Sequence, residues 1–149
     1  MKHKFVLDVN TIIFAQENSN AKGKTDFAPA TLVYLIAQNC HKIVCDKSLR
    51  KQYLACLRDD RFEKLLKHLL FNSEKCEFKE YLPNYAFEKK LPPDDVQIVK
   101  LAVFANAVFI TSDGRLKTKI QELKIPENHG LKIKSASEAL SMVQTRNPL

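Results

Sequence analysis

Short apolar runs alternate with helical patterns along this chain, and the alternation limits the fold more than any other feature. Five segments have the length and composition of buried strands: residues 5–9, 42–46, 76–78, 107–111 and 131–134. Apolar stripes at helical spacing predict helices at residues 10–15, 29–39, 48–57, 61–70, 95–106, 116–123 and 137–143. Strands separated by helices imply a parallel sheet with helices on both faces. We therefore expect an α/β fold, a three-layer α/β/α sandwich with a central, mostly parallel sheet.

Length and composition fit one globular domain. The 149 residues are enough to bury a core, and 45% of them are apolar, so residues 1–149 are expected to form a single domain whose last residues fray. No apolar run approaches the ~20 residues of a membrane span. The first strand pattern begins within a few residues of the start, which leaves no room for a signal peptide. These features predict a cytoplasmic protein without membrane contact.

Several kinds of site are disfavoured. The four cysteines, Cys40, Cys45, Cys56 and Cys76, have no C-x-x-C spacing, so we interpret them as small buried hydrophobes in a reducing compartment rather than zinc ligands. The four histidines show no ligand spacing. The three glycines form no phosphate-binding loop, which argues against a nucleotide cofactor.

Three aspartates lie at positions that would face the ligand-binding edge of the sheet in such a fold. Asp8 follows the first predicted strand, Asp113 follows the fourth, and Asp95 begins an apolar helix. Each alone is explained by a turn or a helix N-cap. Together they would meet in the crevice at the carboxyl ends of the first and fourth strands, which are plausible neighbours. A divalent cation relieves the repulsion between converging carboxylates, so we predict metal-assisted chemistry on an anionic substrate.

Polar neighbours of these aspartates are candidates for a supporting role. Asn10, Thr111 and Ser112 could orient the carboxylates or a bound water, although turn-forming hydrogen bonds explain them equally well. In the doublet Asp94-Asp95 one residue can cap the helix while the other is free, so Asp94 is an alternative ligand.

The charge balance favours a polyanionic partner. The net charge is +7, so a basic surface accompanies acidic residues at strand ends, which is the combination that a nuclease needs. Most of the basic residues must lie on solvated helix faces. The best candidates for phosphate contact adjoin Asp113, and a second group follows the second strand: Arg115, Lys117, Lys119, Arg50 and Lys51.

Four segments, taken in their order along the chain, resemble motifs of the PIN-domain nucleases. Leu7-Asp8-Val9-Asn10 is similar to the opening L-D-x-N motif of that family. Residues 48–57 resemble the helix that follows its second strand, and Asp95 with Leu101-Ala102 resembles its third acidic motif. Residues 107–113 resemble the segment that ends in its T-x-D motif. No single motif is specific, but the four together span nearly the whole chain.

The resemblance carries functional expectations. It implies a metal-dependent endoribonuclease in which Asp8, Asp95 and Asp113 hold Mg²⁺ or Mn²⁺ and RNA is the substrate. The chain looks most similar to the compact single-domain members that include toxins of toxin–antitoxin pairs. An antitoxin protein and a homodimer are therefore expected partners.

Gln52 and Arg115 depart from the family pattern. The family usually has a glutamate where this chain has Gln52, whose carbonyl oxygen can ligate a hard cation but adds no negative charge. Arg115 stands where another acidic or polar residue is frequent, and it could contact a phosphate instead. The alternative to the enzyme is a weakened or inactive PIN-like module that binds RNA or protein. The interpretation of Gln52 as a solvated helix residue also stays open. A related metal-dependent phosphatase is disfavoured because Asn10 stands where its second acid would be.

Overall fold

A five-stranded sheet forms the centre of the molecule. The computed structural model describes residues 2–144, so the expected fraying of the last residues lies outside the described range. The strand order is β3-β2-β1-β4-β5, and all four neighbouring pairs are parallel. The strands are β1 (Lys4–Leu7), β2 (Lys42–Cys45), β3 (Cys76–Phe78), β4 (Val108–Ile110) and β5 (Lys132–Lys134).

Helices connect these strands and cover both faces of the sheet. They are α1 (Val9–Glu17), α2 (Ala28–Gln38), α3 (Lys47–Ala55), α4 (Asp60–Phe71), α5 (Pro93–Ala105), α6 (Gly114–Glu122), α7 (Ile125–His129) and α8 (Ala136–Val143). On one face, α2 packs against α1, α4 and α8. The chain then crosses back through α5, which contacts β1, β2 and β4 from the opposite face, as right-handed crossovers require. The predicted three-layer α/β/α architecture is confirmed.

The central strands are apolar on both faces because both faces are covered. Phe5, Leu7, Ile43 and Phe109 have no exposed surface. Each such side chain contributes roughly 1.5–3 kcal/mol when it is fully buried. Among the described residues, no helix combines the length and apolarity that crossing a bilayer requires.

The predicted elements agree with the observed ones apart from their ends and two short helices. The first two strands end earlier than predicted, because Asp8 and Asp46 occupy the N-cap positions of the following helices. A 3₁₀ turn spans Ala86–Lys90 and the short helix α7 spans Ile125–His129, and the sequence patterns predict neither of them. The helix α7 has five residues with Pro126 in its first turn, so it is too short to show an apolar stripe.

Candidate active site

The strands β1 and β4 are neighbours at the point where the chain changes faces of the sheet. Leu7 pairs with Ile110 in the parallel ladder, and the Asp8 N–H donates a 2.9 Å hydrogen bond to the Ile110 carbonyl. The helices that follow these two strands lie on opposite faces, so a crevice opens at the carboxyl edge between them. The predicted adjacency of the first and fourth strands is confirmed, and it brings Asp8 to the same edge as Thr111 and Asp113.

Thr111 connects the two aspartate-bearing segments. Its Oγ1 donates a 2.8 Å hydrogen bond to Oδ2 of the half-buried Asp8. The same oxygen accepts a 3.1 Å hydrogen bond from the Asp113 backbone N–H. Thr111 is only 4% exposed, so these bonds are shielded from water and fix the orientation of the Asp8 carboxylate.

Asp113 is an exposed helix cap that retains a free oxygen. Its Oδ1 accepts 3.1 Å hydrogen bonds from the N–H groups of Arg115 and Leu116 at the start of α6. Within residues 2–144, Oδ2 makes no hydrogen bond. The cap fixes the backbone of this segment, and one carboxylate oxygen remains for a ligand.

Burial, and after it mutual repulsion, raises the pKa values of two of the three carboxylates. Burial raises the pKa of Asp8, and the charge of Asp113 adds to this shift, against hydrogen bonds from Thr111 and nearby backbone N–H groups that lower it. Burial also raises the pKa of Asp95, followed by the charges of Asp113, Asp8 and Asp94. Over the described part of the chain, no lysine or arginine forms an ion pair with any of these carboxylates.

This arrangement suits a hard divalent cation in its chemistry and its charge. The donors are carboxylate oxygens, which Mg²⁺ and Mn²⁺ prefer, and their excess negative charge has no protein counterion within residues 2–144. Among the side chains of residues 2–144, no group of three or more His, Cys, Asp or Glu residues is arranged closely enough to hold a metal ion. Binding would therefore require these carboxylates to move closer together.

A small cavity of about 60 Å³ joins several polar side chains at this edge. It is lined by residues of α3 and α5 and by the residues that follow β1 and β2, among them Asp8, Asp46, Gln52, Asp94, Asp95 and Gln97. Gln52 is exposed, and its Nε2 donates a 3.2 Å hydrogen bond to Ser48 Oγ. The structure thus places Gln52 and Asp94 beside Asp8 and Asp95.

Asp46 also lines this cavity, although the sequence pattern alone does not identify it as a site residue. It is 5% exposed and caps α3, with Oδ1 accepting a 2.8 Å hydrogen bond from the Leu49 N–H. Its Oδ2 accepts a 2.9 Å hydrogen bond from Gln97 Nε2 on α5. Asp46 therefore ties the helix of Gln52 to the helix of Asp95. The available signal was its position directly after β2, which matches that of Asp8 after β1.

A groove lined by both basic and acidic side chains adjoins the carboxylates. A cavity of about 470 Å³ is lined by Lys90, Asp95, Asp113, Arg115 and Lys119 among others. A larger cavity of about 780 Å³ extends along α6, and its walls include Asn10, Phe14, Ser112, Asp113, Arg115 and Lys119. Asn10, Ser112, Arg115 and Lys119 are thus brought to the candidate site, and Lys90 is an addition to the predicted set.

Three predicted phosphate contacts lie elsewhere. Lys117 faces α8. Hydrogen bonds from Ser135 lower the pKa of Glu138 on that helix, and the charge of Lys117 lowers it further. The Arg50 guanidinium lies over the rings of Phe71 and Phe78 and donates a 2.9 Å hydrogen bond to the Leu70 carbonyl. Lys51 is exposed on α3 and lines none of the cavities beside the carboxylates.

Solved structures share this architecture. No protein-family profile and no curated protein matches the sequence. A PilT N-terminus domain protein from the hyperthermophilic archaeon Sulfolobus solfataricus P2 is similar over 98% of both chains, with a TM-score of 0.54 and 14% identity. VapBC2 from Rickettsia felis, bound to a DNA fragment from its promoter, is similar over 89% of this chain and 98% of that one, with a TM-score of 0.49 and 14% identity.

The likeness over the whole length of the archaeal protein establishes the class of fold. This chain has the fold of the PilT N-terminus, or PIN, domain. The resemblance found in the sequence is thereby confirmed for the fold.

Proposed function

We propose that this protein is a metal-dependent endoribonuclease that hydrolyses RNA phosphodiester bonds. One observation carries the proposal. Asp8, Asp95 and Asp113 come from three separate segments to the crevice of a PIN fold, where burial, and after it their mutual charges, raise the pKa values of Asp8 and Asp95. A bound Mg²⁺ or Mn²⁺ would relieve that repulsion, and these three residues would hold it, with Asp94 as a further candidate.

Different residues of the chain have different roles in the proposed reaction. A bound divalent cation would lower the pKa of a water molecule and offset charge on the scissile phosphate. Thr111 holds the Asp8 carboxylate in one orientation, and Asp46 keeps α3 and α5 in register beside it. Arg115 and Lys119 bind phosphates of the RNA in the groove next to Asp113, because their charges offset the phosphate charge at the site.

The sequence resemblance also implies further roles, which are separate from the nuclease proposal. A toxin role, an antitoxin partner, a homodimer and a cytoplasmic location remain predictions that rest on the sequence. The nuclease proposal does not depend on any of them.

The ends of the cleavage products test the proposal. Hydrolysis by water leaves a phosphate on one product and a hydroxyl on the other, and it needs no 2′-OH. A metal-free ribonuclease instead uses the 2′-OH as nucleophile and leaves a cyclic phosphate. We expect Mn²⁺-dependent cleavage without a cyclic phosphate, and continued cleavage after a 2′-deoxy substitution at the scissile nucleotide. Cyclic phosphate ends, or cleavage that persists in EDTA, would contradict the proposal.

A binding module without catalysis is the second candidate. It is favoured by Gln52 in place of a glutamate and by the incomplete arrangement of the carboxylates over residues 2–144. Such a protein would bind RNA through Arg115 and Lys119 equally well with and without EDTA. The same RNA assay would then show binding but no cleavage with any metal.

Gln52→Glu should strengthen metal binding and increase cleavage. Gln52 lines the cavity that contains Asp8 and Asp95, so a carboxylate there adds an anionic oxygen beside theirs. We expect the Mn²⁺ dissociation constant to fall by at least about tenfold, which corresponds to about 1.4 kcal/mol. Calorimetric titration measures it. Gln38→Glu on the exposed end of α2 is the matched control. Equal Mn²⁺ affinity of both variants and wild type would place Gln52 outside the metal site.

A further inference from the structure

Two cysteine side chains meet between neighbouring strands, away from the carboxylates. Cys45 ends β2 and Cys76 begins β3, and their Sγ atoms are 3.1 Å apart. In the ladder Cys76 pairs with Ile43 and Cys45 pairs with Phe78, so both thiols lie on the same face of the sheet. The interpretation of the cysteines as small buried hydrophobes fits Cys45 and Cys76, but Cys40 is exposed.

Cys76 borders a pocket of about 200 Å³. The pocket is formed by the end of α4 and by β3, with Arg50, Phe71, Asn72, Cys76 and Phe78 among its lining residues. The rings of Phe71 and Phe78 are 60% and 38% exposed, so this pocket reaches the surface. A small solute can therefore approach the Cys76 thiol from outside, while Cys45 lies behind it with no exposed surface.

Arg50 is held beside the thiols in a fixed position. Its Cζ lies 4.9 Å from the ring centre of Phe71 and 4.4 Å from that of Phe78, and the Leu70 carbonyl accepts a hydrogen bond from it. Among the described residues, Arg50 Nε is the buried side-chain nitrogen or oxygen that has no hydrogen-bond partner. A buried N–H without an acceptor is costly, and an anionic sulfur beside it would supply one.

The two thiols differ in their tendency to ionise. The hydrogen bond with Cys45 lowers the pKa of Cys76, and a hydrogen bond with Arg50 and the charge of Arg50 lower it further, against the effect of burial. The hydrogen bond to Cys76 and burial both raise the pKa of Cys45. Cys76 borders the pocket and Cys45 has no exposed surface, so Cys76 is the thiol that an oxidant can reach, and thiolates are the species that react with oxidants.

We propose that Cys76 is an oxidant-reactive thiol that forms a disulfide with Cys45. With hydrogen peroxide, the Cys76 thiolate attacks one peroxide oxygen, the O–O bond breaks, and hydroxide leaves. Cys76 becomes a sulfenic acid. The Cys45 sulfur then attacks the Cys76 sulfur, and the sulfenic oxygen leaves as water with the Cys45 proton. The hydroxide takes up a proton, so two thiols and one peroxide give one disulfide and two waters.

The second step needs a small movement of the edge strand. The two sulfurs lie 3.1 Å apart on one face of adjacent strands and must approach to about 2.05 Å. Because the ladder makes Cys45 and Cys76 diagonal neighbours, whose Cα atoms are about 7–8 Å apart, β3 must shift towards β2 as the bond forms. The bond would fasten the edge strand β3 to β2, whose next residue, Asp46, caps α3 at the candidate active site. In a reducing compartment such a bond forms transiently, in response to oxidant.

Peroxide titration of the intact wild-type protein tests the proposal. Peptide mapping without reductant would follow all four cysteines, in the folded protein and in urea. We expect the Cys45–Cys76 disulfide to form at lower peroxide in the folded protein than in urea, and before oxidation of Cys40. Oxidation of Cys40 or Cys56 first, or equal rates for Cys76 folded and unfolded, would overturn the proposal.

Two variants separate the steps. Cys45→Ser removes the second thiol, so the Cys76 sulfenic acid should accumulate and be trapped by dimedone. Arg50→Met removes the charge beside Cys76, and the reaction rate should fall several-fold. The matched control is Cys40→Ser, which should leave the Cys45–Cys76 disulfide unchanged. Dimedone adducts at Cys40 but not at Cys76 in folded Cys45→Ser would contradict the assignment.

Discussion

Replacement of Asp95 by asparagine should reduce RNA cleavage by at least about 10³-fold, whereas Asp94→Asn should retain cleavage within about tenfold of wild type. The two residues are adjacent in the first turn of α5, but they have different surroundings. Asp95 is half-buried, and the charges of Asp113 and Asp8 act on it, whereas Asp94 is exposed. A carboxylate that helps to hold the cation contributes several kcal/mol to the reaction, and each 1.36 kcal/mol is tenfold in rate.

Thermal unfolding in EDTA controls for a folding defect. The raised pKa of Asp95 means that its ionised form costs folding free energy above that pKa, and the cost disappears below the ordinary value of 3.8. At neutral pH without metal, Asp95→Asn should therefore be at least as stable as wild type. Loss of cleavage in a stable protein locates the defect in the site. Equal cleavage by wild type and Asp95→Asn would remove Asp95 from the proposed metal ligands.

Asp46→Ala should lower the free energy of unfolding by about 2 kcal/mol. The substitution removes the N-cap of α3, which is worth about 1 kcal/mol, and leaves the Gln97 amide without its carboxylate partner. Because Asp46 connects α3 and α5, we also expect weaker Mn²⁺ binding. Urea unfolding and calorimetric titration measure these two effects.

Asp59→Ala is the matched control for Asp46→Ala. Asp59 caps α4 by accepting a 2.9 Å hydrogen bond from the Phe62 N–H, but it is exposed. Its loss should cost about 1 kcal/mol and leave Mn²⁺ affinity unchanged. If the two variants are equally destabilised and bind Mn²⁺ equally, Asp46 acts only as a cap.

The sequence predicts the strand order around the site because local signals and chain connectivity suffice there. Asp8 and Asp113 each follow an apolar run, and parallel strands place the ends of such runs at one edge. Asp95 was found by its place before an apolar helix. The strands and most helices were predicted because the sheet is buried on both faces and therefore leaves continuous apolar runs.

The unpredicted contacts depend on side-chain directions and on pairs distant in sequence. Arg50 and Arg115 look alike in the sequence, yet Arg50 packs between two aromatic rings and Arg115 lines the groove. Lys117 and Lys119 are two positions apart on α6, about 200° around the helix, so only Lys119 faces the groove. The pairing of Asp46 with Gln97 spans 51 positions and has no local signal.

Incubation of purified protein with a mixed RNA pool tests the central claim most directly. Wild type, Asp8→Asn and Asp113→Asn would be compared in Mn²⁺, in Mg²⁺ and in EDTA, with RNA binding measured in parallel. We predict cleavage by wild type in at least one of the metals, none in EDTA, and none by either variant, while RNA remains bound. RNA bound equally by all three proteins and cleaved by none would contradict the nuclease and favour the binding module.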